Sequence, residues 1–123
     1  MTTIIEDYVS FETAKLLKDK GFAEYTFGYY SEDGIFGFNE VETRVAKGYQ
    51  GPTLQMAIKW FRKKYNFCII SLPIVTDDDG EAGCLWNYMI SKRLETLYNS
   101  EDLYECPEIA LNNAIKYCLE NLI

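Results

Sequence analysis

The chain has 123 residues, 48% of them hydrophobic and 25% charged, which places it with globular single domains rather than disordered chains. Its net charge of −7 opposes broad binding to nucleic-acid phosphates. No His is present, so catalytic triads that use a His base are excluded.

The charge is uneven. Residues 1–76 hold nine acids and nine bases, whereas residues 77–123 hold ten acids and three bases. Ten Tyr residues raise the aromatic share to 15%, and such rings suit a half-wet core rim or a binding surface. Met1 to Asp7 has neither a basic stretch nor a long apolar one, so neither a signal peptide nor a membrane span is expected there.

Ser10 reads as the N-cap of a first helix over about 11–20. Val9 precedes it as a hydrophobic staple, and Gly21 stops it. Phe22 to Tyr30 is aromatic and β-prone, and Ser31-Glu32-Asp33-Gly34 follows as a turn. Residues 35–51 lack a period and exceed ordinary connection lengths, the mark of a functional loop.

Gly51-Pro52-Thr53 opens a second helix. Leu54, Ala57, Ile58, Phe61 and Tyr65 give it one apolar face, Met56 and Trp60 widen that sector, and Asn66 caps its end. Phe67–Val75 and Ala82–Ile90 read as a hairpin around Asp79-Gly80, with Pro73 marking an edge or the end of ladder pairing. A short helical turn is expected around Lys92–Leu97, and Pro107 begins a last helix carrying Ile109, Ala110, Ala114, Cys118, Leu119 and Leu122. The expected architecture is a single α+β domain over 1–123: a small, mainly antiparallel sheet with about three helices on one face.

Cys68, Cys84, Cys106 and Cys118 show no CxxC spacing, so no metal is expected. Cys68 and Cys84 read as buried small hydrophobes, and free thiols suit a reducing cytoplasm. Asp77-Asp78-Asp79-Gly80 fails as a calcium loop, because Val75 and Trp86 stand where ligands belong. Arg62-Lys63-Lys64 complements the dipole of its helix end. No cofactor motif is present.

Lys47-Gly48-Tyr49-Gln50-Gly51-Pro52-Thr53 is a glycine-punctuated loop entering a helix N-terminus, which favours anions. Arg44, Lys47, Tyr49, Gln50 and Thr53 are therefore the candidate residues for a small anionic metabolite. Tyr29, Tyr30 and Trp60 are the candidates for a protein partner, with Tyr49 and Gln50 beside them.

Three blocks carry a resemblance. Tyr8-Val9-Ser10-Phe11-Glu12-Thr13-Ala14-Lys15-Leu16-Leu17-Lys18-Asp19-Lys20-Gly21-Phe22, the stretch from Gly51 to Asn66, and Ala114 to Ile123 resemble, in this order, short proteins of unassigned activity carried by Bacteroidetes phages and prophages. Those proteins usually have His where Tyr65 stands here. The resemblance implies a phage accessory protein in the cytoplasm of a bacterial host. The leading expectation is a non-enzymatic protein that binds a host protein or small metabolite, without nucleic acid or membrane. A homodimeric module is one alternative, a second copy being a further candidate partner. A His-free hydrolase using two carboxylates is the other.

Overall fold

The computed structural model describes residues 6–38, 48–76 and 83–123. Helix α1 spans Phe11–Asp19, α2 Leu54–Tyr65 and α3 Pro107–Tyr117, with a π-helical turn at Cys118–Leu122. The strands are β1 (Gly28–Tyr30), β2 (Phe36–Phe38), β3 (Tyr49–Gln50), β4 (Phe67–Thr76), β5 (Gly83–Lys92) and β6 (Glu95–Asn99). They form two antiparallel three-stranded sheets, ordered β2-β1-β3 and β4-β5-β6. The fold is α+β, and its strands divide between two sheets where one was expected.

Helix α1 starts where its cap chemistry dictates. The Thr13 amide donates to Ser10 Oγ at 3.2 Å. Asn112 of α3 holds the same cap, accepting from the Ser10 amide at 3.0 Å and donating to Ser10 Oγ at 3.3 Å. A Lys116–Glu12 ion pair at 2.9 Å lies on the same two helices. In α2, Met56 N–H donates to Thr53 Oγ1 at 3.1 Å, and Asn66 ends the helix in the left-handed region at φ 60°.

The longer sheet follows its alternation. Phe67, Ile69, Tyr88 and Ile90 are buried on one face, against which α2 and α3 pack, while Cys68, Ile70 and Leu72 are exposed on the other. Phe61 of α2 and Leu17 of α1 join the same core with Ala110, Ala114, Ile115 and Leu119. Burial is the first cause of two upward pKa shifts here: Tyr88, beside Tyr104, Tyr98, Tyr117 and Cys118, and Cys118, pushed up to about 12.

Several expectations need correction. Pairing begins at Gly28, not Phe22, because earlier backbone groups are used elsewhere: the Phe22 amide donates to Leu17 O at 2.9 Å and the Thr26 amide to Gln50 Oε1 at 3.1 Å. Residues 35–51 contain β2 and β3, and the rest of that segment lies outside the described residues. No helical turn forms at 92–97. β5 runs on to Lys92, the chain reverses through Arg93 and Leu94, and β6 follows. Leu94 and Leu97 mimic helical spacing, but Arg93 adopts φ 56° and Leu94 projects into solvent. Cys68 and Cys84 are exposed: Cys68 because even-numbered β4 positions face away from both helices, and Cys84 at the far end of β5, next to its first residue. The hairpin of β4 and β5 pairs Thr76 with Gly83, and its turn at 77–82 lies outside the described residues. No helix among the described residues is long and apolar enough to cross a membrane.

Candidate functional site

A groove of about 540 Å³ runs along α2 from Met56 to Lys64, lined by Met56, Lys59, Trp60, Lys63 and Lys64 together with Phe22 and Glu24. Helical spacing produces one wall: Met56, Trp60 and Lys64 are four residues apart, and Lys59 and Lys63 form the adjacent row. The facing wall depends on how α1 ends. Gly21 takes φ 94° and its amide donates to Lys18 O at 3.1 Å, which turns the chain back so that Phe22 meets Trp60. The two rings meet edge to face at 5.4 Å.

Trp60 also contacts Phe61 at 5.0 Å and Tyr65 at 5.6 Å, so its indole is fixed from below. Lys64 Nζ stands 5.0 Å from the Trp60 ring centre and 5.6 Å from that of Tyr65. Lys59 and Lys63 are exposed, and among the described residues Glu24 is the groove's one carboxylate against three ammonium groups. On a protein of net charge −7, this is a local reversal of sign. An aromatic floor under a cationic rim accommodates a ligand with one apolar group and neighbouring negative charge.

The residues singled out in the sequence fall in three places. Tyr29, Tyr30, Tyr49 and Gln50 come together in the small sheet, where Tyr29 pairs with Gln50 and Tyr30 with Tyr49. Tyr30 hydroxyl donates to Val9 O at 2.6 Å and its ring lies 5.5 Å from Phe11; burial raises its pKa. Tyr49 meets Phe11 edge on at 5.6 Å, with Lys18 Nζ 5.0 Å from its ring centre. Gln50 Oε1 also accepts from Thr26 Oγ1 at 2.8 Å. Tyr29 is half-buried in β1, its hydroxyl beside Gly48, and its pKa is raised by burial and then by Glu32.

Thr53 lies at the N-terminal end of α2, outside the groove's lining. Its hydroxyl already accepts from Met56 N, and the Leu54 amide donates to Asp7 O at 2.9 Å. Glu6, Asp7 and Glu108 line the small cavity at this helix end with Thr53 and Gln55, so its nearest charges are negative. Arg44 and Lys47 lie outside the described residues. Trp60 stands apart from the tyrosines, in the groove.

Phe22, Lys59, Lys63 and Lys64 were not singled out as site residues. The available signal was the Met56/Trp60/Lys64 stripe beside Lys59 and Lys63. The basic run complements the helix dipole without any ligand, and Phe22 is distant in sequence. A second apolar surface lies on the small sheet, where Phe27 and Phe38 stack at 4.8 Å and Tyr8 meets Phe38 at 5.8 Å. Compared with known protein families, curated proteins and solved structures, the chain matches none.

Proposed function

We propose that the chain is a non-enzymatic accessory protein of phage origin that binds an acidic segment of a host protein in the Trp60 groove. The observation that carries this reading is the reversal of charge at the groove, with three lysines rimming the Trp60–Phe22 floor of an otherwise acidic molecule. An apolar side chain of the partner rests on the indole and its flanking carboxylates meet Lys59, Lys63 and Lys64. The phage setting comes from the three sequence blocks. The hydrolase reading draws no support from the described carboxylates: Glu108 is half-buried and the others are exposed, so no two of them form a buried pair facing one cleft.

The test is calorimetric titration with a peptide carrying one phenylalanine flanked by acidic residues, against its neutral isostere and inorganic phosphate. Binding by the acidic peptide, weakened at least tenfold in K59E/K63E and by raised salt, is expected. Both lysines are exposed, so the variant keeps its fold. Equal binding of the neutral peptide, or none by the acidic one, would sink the reading. Binding by phosphate alone would replace it with a small anionic metabolite.

A further inference from the structure

We infer that two copies of the chain pair edge to edge through β4, forming one continuous six-stranded sheet about a two-fold axis near Ser71. Among the described residues β4 is the outer strand of its sheet; it is ten residues long, and none of Phe67–Thr76 is charged. Long uncharged edges invite pairing, and proteins that keep them open usually guard them with charge.

The hydrogen bonds already made on the other side of β5 determine which β4 groups face outward. Trp86 N–H donates to Tyr104 O at 2.8 Å, and Trp86 O accepts from Tyr104 N at 2.7 Å. Tyr88 likewise turns both backbone groups toward Ser100: its N–H donates to Ser100 Oγ at 3.0 Å, and its O accepts from Ser100 N at 2.9 Å. In an antiparallel ladder a residue's N–H and C=O point to the same side. Trp86 and Tyr88 therefore leave Pro73 and Ser71, their β4 partners, directed at the open edge. By alternation Phe67, Ile69 and Val75 point there too. Pro73, the guard residue of this strand, lacks its N–H on the open side.

The register that pairs all five outward residues of β4 with those of a second copy is centred on Ser71. With Ser71 opposite Ser71, the pair exchanges both bonds, Phe67 and Val75 exchange both with each other, and Ile69 N–H meets Pro73 O. Only Ile69 O loses a donor on each side. On the uncovered face the same register sets Ile70 beside Leu72 and Cys68 beside Ile74. Ile70 and Leu72 are 41% and 38% exposed in the single chain.

Charge favours the antiparallel copy over a chance strand. The Phe67 end of β4 follows Lys63 and Lys64 and pairs with Lys92, next to Arg93, while from Thr76 the chain enters Asp77-Asp78-Asp79 directly. In a two-fold pair the basic-flanked Phe67 end of each β4 lies beside the Thr76 end of the other, and the sequence that follows Thr76 is acidic. Lys63 and Lys64 also line the groove beside Trp60, whereas Lys92, Arg93 and the backbone pattern of β4 lie outside its lining.

Light scattering on size-separated protein from 1 µM to 1 mM (~10⁻⁶ to 10⁻³ M, spanning the range of weak to moderate association) should show a mass rising from 14.3 kDa to twice that value. Ser71→Pro removes an outward N–H while sparing the β5 ladder, and Ile70→Lys sets like charges near the axis on an exposed position. Each should weaken dimerisation at least tenfold with the circular dichroism unchanged. If Ser71→Pro does not fold, Ile70→Lys and amide exchange of the wild type still decide: the Ile69 and Ser71 amides should gain protection as concentration rises. A chain that stays at 14.3 kDa at every concentration, or a dimer that Ile70→Lys leaves intact, overturns the proposal.

Discussion

The two sheets are built by different means. β4 and β5 are ten residues each, and period-two alternation buries Phe67, Ile69, Tyr88 and Ile90 under α2 and α3. The small sheet has strands of three, three and two residues, too short for alternation to specify a register. Side-chain hydrogen bonds and rings set it instead. Tyr30 hydroxyl reaches Val9 O, Gln50 Oε1 takes two donors from Thr26, and Lys18 Nζ donates to Gly48 O at 3.1 Å. A Cβ at Gly48 would collide with the Tyr29 hydroxyl, at φ 112°. The long sheet is thus held by buried area and the short one by a few directed contacts.

The largest effect should come from the first kind of support. Phe61 is fully buried on α2 and lies 6.3 Å from Phe67 in near-parallel stacking. Phe61→Ala should cost about 3–5 kcal/mol, read from urea unfolding. A loss under about 1 kcal/mol would mean that the α2–β4 contact is not where the area term acts. Tyr30→Phe keeps the ring and removes one hydrogen bond, leaving Val9 O without that donor, at about 1–2 kcal/mol. Amide exchange sharpens the comparison: Tyr30→Phe should speed exchange in β1 and β3 while β4 and β5 keep their protection. Uniform acceleration across both sheets would break it, showing that the directed contacts support the whole molecule.

The same contrast explains what could be read from the residues. Ser10, Thr53, Asn66 and Pro107 act within a turn of where they stand, so the helix ends were visible. So was the β4–β5 hairpin, whose strands are long enough to show their pattern. The division into two sheets was not, because the β1–β3 pairing depends on Gln50 reaching back to Thr26, a contact without local signature. The groove was half visible. Trp60 and Met56 stood out as a stripe, but Phe22 joins them only through the reversal at Gly21, and the lysines acquire a common target only once that wall is in place.

The β5–β6 turn offers the smallest and most local test. It is two residues long, yet neither Arg93 nor Leu94 carries the glycine or asparagine such turns favour, which is why β6 escaped the sequence pattern. Arg93 holds φ 56°, where an L residue with a Cβ is strained by roughly 1–2 kcal/mol. Glycine removes that strain and adds unfolded-state entropy worth about 0.5–1 kcal/mol in the other direction. Arg93→Gly should therefore gain about 0.5 kcal/mol, seen as a higher urea midpoint at unchanged slope. Arg93→Ala keeps the Cβ and should gain nothing. Equal behaviour of the two variants would mean that the arginine side chain, not its backbone, sets the turn's energy, and that the long sheet also depends on a directed contact.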